Sequence, residues 1–455
     1  MNRVVRRCFS YLLCLGLVVA LTVFLPSSLP VYSQKTSPLT TEIRGVWLTN
    51  VASGVLFVPW GINRAINQLS ALNFNTIYPV VWNRGHTFYK SAVAKMTTGS
   101  DTQPLLNFLH GGQDVLAKIV TLSKNKDMRV IPWFEYGFMT PHYSQLARRY
   151  PDWLTIGQKG INSIQDAPPE EIDNVLVSKQ AWLNPLHPQV QEFIQSLILE
   201  VIRDYNVDGI QLDDHFGMPV QFGYDRFTIK LYQQEHQGKN PPIDPFNPEW
   251  MRWRADKITD FMAEIYQAIK AVKPKVKISL SPNYQAFAYK YYLQDWENWV
   301  KKGLVNELVL QVYRNDKNSF IAQLEQPSVK LAQSLIPVGI GISTGTVGNP
   351  VKMAQVREQV QAVRDRYFDG VSFFYWESLW GYIVPESPQQ RRKAFFDMFN
   401  AKTVRLLQTK AGGRRQERGG RRQEAGGRRQ EAEDRRQEAG GRRQEVGGKK
   451  YYEKL

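Results

Sequence analysis

Two adjacent aspartates, Asp213 and Asp214, follow a short apolar run (VDGIQLDDH, 207–215) and carry the clearest catalytic chemistry in the chain. Neighbouring carboxylates repel each other, so we expect one of them to have a raised pKa and to keep its proton near neutral pH. A protonated carboxyl beside an ionised one suits general acid catalysis. The alternative is structural: Asp214 caps the following loop or pairs with a basic side chain.

The position of these acids depends on the element that carries them. If 209–213 form a strand, alternate side chains face opposite sides. Ile210 and Leu212 then face a layer of helices, whereas Gln211 and Asp213 face the interior. Asp213 is the last inward residue of this predicted strand, and Asp214 begins the next loop.

Eight β-rich runs alternate with eight amphipathic stretches over residues 41–402. The runs cover 43–50, 76–82, 129–135, 209–213, 277–282, 307–313, 337–343 and 370–376. This alternation predicts an α/β fold, a (β/α)8 TIM barrel with long βα loops at 83–112, 137–188 and 214–247. Such loops lie on the C-terminal face, where barrel active sites are found. A doubly wound open sheet is the alternative, but no Gly-rich nucleotide-binding loop follows the first run.

Polar and aromatic side chains gather at the predicted strand ends. Glu135 and Glu377 are further candidate catalytic acids, and a salt bridge to a nearby arginine is the alternative role for each. The candidate substrate-binding residues are Trp47, Asn50, Trp82, Asn83, Arg84, Trp133, His215, Asn283, Gln311, Tyr313, Arg314, Trp376 and Trp380. All of these tryptophans except Trp47 are candidates for stacking on sugar faces, with ordinary core packing as the alternative.

Metal and thiol chemistry are not indicated. The histidines of the predicted mouth loops, His86, His142 and His215, lack metal-ligand spacing, so we expect no metal and no other cofactor. The two cysteines, Cys8 and Cys14, both lie near the N-terminus. The rest of the chain therefore has no disulfide, thiol nucleophile or Cys-based zinc site.

The N-terminus has the pattern of an export signal. Arg3, Arg6 and Arg7 precede an apolar run at 9–25 and the segment PSSLPVYS. We predict a signal peptide over 1–33, cleaved after Ser33, and a periplasmic or extracellular protein. An uncleaved membrane anchor is the alternative, although a run of 17 residues is at the short edge of a membrane span.

The formal net charge of +16 lies mostly in the two ends of the 455-residue chain. Residues 1–40 contribute +4 and residues 410–455 contribute +7, which leaves +5 on the predicted barrel. This distribution argues against a nucleic-acid partner for the barrel.

The C-terminal segment 410–455 repeats with a period of seven, for example GGRRQEA. It lacks the apolar heptad positions of a coiled coil, and we predict a disordered tail. A tandem DNA repeat of GGCAGGA, translated in any frame, gives this same heptapeptide and accounts for the period. A basic tail that binds nucleic acid is the alternative, although few aromatic residues accompany its arginines.

Four motifs in order resemble the bacterial glycosyl-hydrolase-like family 10. They are EIRGVWLTN (42–50), WLNP (182–185), DGIQLDD (208–214) and WRAD (253–256). The resemblance implies a secreted or lipid-anchored barrel, distantly akin to α-amylase-type and chitinase-type enzymes, that hydrolyses β-linked glycans, with peptidoglycan strands as the favoured substrate. The family usually has an aromatic residue after the acid pair, where this chain has His215.

Glycoside hydrolysis generally requires two carboxyl groups that flank the cleaved bond. We predict Asp213 and Asp214 as the central acids, with Glu377 or Glu135 as a helper. Retaining, inverting and substrate-assisted routes remain open; in the last, an N-acetyl oxygen of the substrate attacks. The alternative function is a non-catalytic barrel that binds glycan without cleaving it.

Overall fold

The computed structural model describes residues 42–160, 180–346, 348–381 and 386–400. The predicted signal segment and the predicted tail lie outside these residues. Within them, no helix is both long enough and apolar enough to cross a membrane.

Eight parallel strands close into a barrel, which confirms the predicted TIM-barrel fold. The strands are β1 (Ile43–Leu48), β2 (Thr76–Asn83), β3 (Arg129–Val130 and Trp133–Phe134), β4 (Gly209–Asp213), β5 (Lys277–Ser281), β6 (Glu307–Gln311), β7 (Val338–Ser343) and β8 (Gly370–Phe374). β1 pairs with both β2 and β8, so the described barrel has no open edge between its first and last strands.

Helices surround the barrel and occupy its βα loops. They are Gly61–Ala71, Ala92–Thr98, Pro104–Leu109, Val115–Lys124, Gln145–Arg149, Pro188–Asp204, Arg226–Glu235, Pro248–Val272, Gln285–Tyr292, Trp296–Lys301, Lys317–Leu324, Pro327–Leu335, Met353–Asp365 and Pro388–Met398, with 3₁₀ turns at Pro151–Trp153 and Glu377–Trp380. The helix that the sequence predicts at 292–302 is observed as Trp296–Lys301, and Leu293, whose φ of 54° is left-handed, separates it from the helix Gln285–Tyr292. The helix predicted at 319–333 is divided in two, and its second part begins at Pro327, since proline suits a helix start.

The long loop after β3 carries a small antiparallel sheet that the sequence pattern did not predict. Its strands are Met139–Pro141, Leu154–Thr155 and Gln180–Leu183. A further short strand, His86–Thr87, pairs antiparallel with the end of β2.

The barrel interior contains a connected set of polar side chains. Trp47 Nε1 donates to Gln211 Oε1 at 2.7 Å, and Gln211 Nε2 donates to Ser279 Oγ at 3.0 Å. Near the strand starts, Arg129 and Glu307 form a buried ion pair at 2.7 Å. Because each buried polar group that lacks a partner costs about 1–3 kcal/mol, these contacts hold the strands that carry the acids in a defined register.

The end of β2 contains a bulge. Val80 pairs with Trp133 and Trp82 pairs with Phe134, so β2 has one more residue than β3 over this stretch. The extra residue reverses the alternation of side chains beyond it. Trp82 consequently packs against Phe193 of the helix layer, with ring centroids 5.6 Å apart.

Candidate active site

The acid pair lies where the alternation of β4 predicts it. Ile210 and Leu212 are fully buried apolar side chains, and Gln211 contacts residues of the barrel interior. Asp213 ends β4 and is 3% exposed, whereas Asp214 is half-buried at the start of the loop. The backbone carbonyl of Asp213 is held by Gln294 Nε2 at 2.9 Å, which fixes the turn out of the strand.

Asp214 is held in its ionised form. Burial alone would raise its pKa, but the neighbouring charge of His215 brings the pKa below its usual value. His215 Nδ1 lies 2.8 Å from Asp214 Oδ1, and Asn283 Nδ2 donates to Oδ2 at 2.7 Å. Burial opposes the charge on His215, yet Asp214 and Asp213 together raise the pKa of His215 well above its usual value.

Asp213 is driven to the opposite state. Burial, followed by the adjacent charge of Asp214, raises the pKa of Asp213 well above its usual value. Gln311 Nε2 donates to Asp213 Oδ1 at 2.8 Å, and His215 Nδ1 lies 3.8 Å from Oδ2. The pKa values of the two adjacent carboxyl groups are therefore shifted apart, which favours the proton on Asp213 and the negative charge on Asp214.

Glu135 is a third acid at this mouth. Thr49 Oγ1 donates to it at 2.9 Å, and Asn83 Nδ2 donates to it at 2.5 Å. Burial raises the pKa of Glu135 to about 7, despite these two donors. The charge of Glu135 also contributes to the raised pKa of Asp213, so the two carboxyl groups interact electrostatically.

Aromatic rings surround the acids. The rings of Tyr136, Trp182 and Tyr292 have centroids 5.4, 5.9 and 6.4 Å from that of His215. Tyr313 stacks on Phe374, with ring centroids 5.6 Å apart, and burial together with the charge of Asp213 raises the pKa of Tyr313 well above its usual value.

Two predicted tryptophans form the floor of the site. Trp47 and Trp133 are almost fully buried inside the barrel, with ring centroids 6.2 Å apart. The two arginines stand beside aromatic rings: Arg84 lies 5.7 Å from the Tyr136 ring, and Arg314 lies 5.6 Å from the Tyr284 ring.

Other predicted residues are not brought to the acid pair. Trp82 packs against Phe193 of the helix layer, and its Nε1 donates to the carbonyl of Gly137 in the loop after β3 at 2.8 Å. Trp376 and Trp380 are each 1% exposed and pack against each other, 6.4 Å apart. Each of these tryptophans is therefore too deeply buried here to present its ring to a sugar.

Glu377 and Asn50 contribute to the loop after β1. Glu377 Oε1 accepts from Ser53 Oγ at 2.6 Å and from the backbone N–H groups of Gly54 and Val55 at 3.0 Å each. Asn50 is half-buried directly after β1. The hydrogen bonds of Glu377 therefore position this loop, and the helper role predicted for Glu377 or Glu135 stays a prediction.

Several residues of the site were missed in the sequence. Thr49 shares the inward alternation of Trp47, so strand parity was sufficient to find it. Trp182 lies in the WLNP motif, and its Nε1 donates to the Gly217 carbonyl at 2.7 Å. Tyr136 and Gln294 reach the acids from loops, where the sequence has no periodic signal.

Glycines allow three loops to approach one another at His215. A Cβ atom on Gly137 would lie 2.5 Å from the His215 carbonyl, and one on Gly217 would lie 2.5 Å from the Tyr292 carbonyl. The segment 215–216 is therefore held between the loops that follow β3 and β5.

Asp213, Asp214 and His215 each place one donor atom within 4.8 Å of the others, a spacing that also suits a cation. A cation at this position would compete with the proton of His215 for the ring nitrogen, because a protonated imidazole has no lone pair to offer a metal. The absence of a metal requirement stays a prediction.

The chain is similar to several glycosyl hydrolases. It is 23% identical over 317 residues to glycosyl hydrolase YngK of Bacillus subtilis, which covers 60% of this chain and 54% of YngK. It is 24% identical over 327 residues to glycosyl hydrolase DigH of Escherichia coli K12, covering 61% and 67% of the two chains. The match thus spans about half the length of YngK.

Solved structures share the fold. The glycoside hydrolase domain of PgaB (BpsB) from Bordetella bronchiseptica superposes with a TM-score of 0.55 and 12% identity, over 81% of this chain and 99% of that domain. The model of the family Glycosyl hydrolase-like 10 matches residues 42–363, and the chain therefore belongs to this family.

Proposed function

We propose that this protein is an exported glycoside hydrolase that cleaves β-linked glycans, with cell-wall (peptidoglycan) strands or other N-acetylated glycans as substrate. The observation that carries the proposal is a pair of adjacent carboxyl groups at the end of β4 whose pKa values are shifted in opposite directions, upward at Asp213 and downward at Asp214. Membership of a glycosyl-hydrolase-like family supports the reaction class. The predicted signal segment supports a site of action outside the cytoplasm, where such glycans occur.

In the proposed reaction, the Asp213 carboxyl gives its proton to the glycosidic oxygen as the bond from that oxygen to the anomeric carbon breaks. The Asp214 carboxylate accepts a hydrogen bond from the N–H of the substrate acetamide, whose carbonyl oxygen attacks the anomeric carbon. Water then adds to this carbon as the bond from the carbon to the acetamide oxygen breaks and the acetamide re-forms, and the water gives one proton back to Asp213. Adjacent acids suit this substrate-assisted route because one must stay charged while the other transfers a proton.

Glu135 supports the same step without taking the proton itself. Its pKa of about 7 places it near its own titration point at neutral pH. Its charge affects Asp213, so ionisation of Glu135 strengthens the hold of Asp213 on its proton. We therefore expect Glu135 to influence the pKa of Asp213 and not to replace Asp213 as the proton donor.

The test uses purified protein lacking residues 1–33 and peptide-free glycan strands, with mass spectrometry of the products. Asp213→Asn and Asp214→Asn should each lower the rate at least about a hundredfold, the usual contribution of a general acid. Asp260→Asn is the matched control, because Asp260 is exposed on the helix Pro248–Val272. Full activity in Asp213→Asn would refute the mechanism.

The same experiment separates catalysis from binding alone. A non-catalytic barrel would retain glycan on a pull-down and release no shorter products. That outcome would refute the hydrolase proposal and favour the carbohydrate-binding alternative.

A further inference from the structure

Aromatic rings lead away from the acid pair across the loops that follow β4 and β5. From His215, the path passes Tyr292, Phe287, Tyr291 and Phe246, with successive centroid distances of 6.4, 6.1, 5.0 and 6.3 Å. We call Tyr284, Phe287, Tyr291, Tyr292 and Phe246 the aromatic strip. Tyr284 joins it through Phe287 at 5.7 Å.

The strip is more exposed at its outer end. Tyr292 and Phe287 are 4% and 7% exposed, whereas Tyr284 and Tyr291 are half-buried and Phe246 is 39% exposed. The inner rings therefore join the strip to the wall of the acid site, and the outer rings present apolar surface to solvent. An unbroken run of this kind differs from the isolated exposed side chains that normal surfaces carry.

Backbone contacts hold the strip in place. The N–H groups of Met218 and Val220 donate to the carbonyls of Tyr292 and Tyr291 at 2.7 and 2.8 Å, which joins the loops after β4 and β5. Arg254 is fully buried beneath the loop after β4.

The guanidinium of Arg254 donates to the carbonyls of Val220, Phe222 and Pro245 at 2.6, 2.5 and 2.7 Å. Pro245 directly precedes Phe246 in the chain, so the same arginine fixes the outer end of the strip. A preformed surface of this kind binds without a large ordering cost.

We infer that the aromatic strip is an extended glycan-binding surface that holds the polymer beyond the cleaved bond, so that the protein prefers long strands and cleaves them internally. The inference rests on the proposed function and adds to it the length of the substrate. Aromatic faces bind the C–H faces of sugar rings, and the more exposed rings of the strip, those of Tyr284, Tyr291 and Phe246, are the ones that a glycan chain can contact. Arg314, 5.6 Å from the Tyr284 ring, supplies N–H donors for hydroxyl or carboxylate groups along the same path.

The test compares long strands with short fragments of the same glycan. The variant is Phe246→Ala/Tyr291→Ala, and binding is measured in the Asp213→Asn background. The control is Tyr367→Asn, because Tyr367 is 59% exposed before β8 on the opposite face, and asparagine tolerates its φ of 58°.

We expect the double variant to bind long strands about tenfold more weakly and short fragments unchanged, with the control unaltered. Circular dichroism verifies that the variants fold. An equal loss of affinity for long and short glycans, or no loss for either, would overturn the inference. Binding of a protein partner to the strip in place of glycan would also overturn it. Cleavage of short fragments by the wild-type protein depends on the acid pair alone. This measurement therefore tests the proposed hydrolase function independently of the aromatic strip.

Discussion

Replacing Glu377 with glutamine should stabilise the barrel at alkaline pH and leave its stability nearly unchanged at acidic pH. The Oε1 atom accepts three hydrogen bonds, from Ser53 Oγ and from the N–H groups of Gly54 and Val55. An amide oxygen can accept the same three bonds. What glutamine removes is the ability to ionise, and burial raises the pKa of Glu377 from 4.5 to about 7.

The raised pKa of Glu377 determines whether stability rises or falls with pH. Below pH 4.5 the carboxyl is protonated in both the folded and the unfolded chain, so it contributes no pH dependence. Between pH 4.5 and about 7 the unfolded chain releases the proton while the folded chain retains it, and stability falls by about 1.4 kcal/mol per pH unit. Above pH 7 the accumulated loss is about 3 kcal/mol, which Glu377→Gln should recover.

Urea unfolding followed by tryptophan fluorescence, at about pH 5 and about pH 8.5, measures this difference. Glu358→Gln is the matched control, because Glu358 is exposed on the helix Met353–Asp365. A stability difference between Glu377→Gln and wild type that does not change with pH would refute the reasoning. Since its hydrogen bonds go to the loop after β1, Glu377→Gln should also keep most of its glycan-cleaving activity.

Two further predictions concern the turn after β4. His215→Gln removes the charge that lowers the pKa of Asp214, so the acidic limb of the pH–rate profile should move to higher pH. An unmoved limb would contradict the role given to His215. Gly217→Ala places a Cβ 2.5 Å from the Tyr292 carbonyl and should lower the free energy of unfolding, measured with urea, by about 1–3 kcal/mol. The control is Gly339→Ala, whose nearest contact would be 3.7 Å away and whose loss of stability should be smaller. Equal losses in the two variants would contradict the close packing of Gly217 against Tyr292.

Strand alternation predicted the orientation of the side chains of β4, whereas the catalytic roles assigned to them stay predictions. Period-two alternation places Gln211 and Asp213 inside the barrel, and both make interior contacts there. The eight strands themselves follow from the same kind of local pattern. This information is available from sequence because a strand has two faces and only one of them meets the lumen.

The same alternation fails at the end of β2, for a physical reason. Tyr78 stacks on Trp47 inside the barrel at 5.2 Å, so unbroken alternation would turn Trp82 inward as well. The bulge reverses the order, so that Trp82 meets the helix layer and Asn83 reaches Glu135. A bulge depends on pairing with a neighbouring strand, which no single run of residues reveals.

The charge of His215 influences how the acid pair divides its protons. With an uncharged ring at this position, Asp213 and Asp214 would be separated only by their burial and mutual repulsion, and the pair would titrate as one unit. His215 carries a charge 2.8 Å from Asp214 and 3.8 Å from Asp213, so it favours ionisation of Asp214 over that of Asp213. The unequal distances from His215 therefore favour Asp213 as the acid and Asp214 as the carboxylate. Because His215 lowers the pKa of Asp214, we expect the pH range of activity to extend to lower pH.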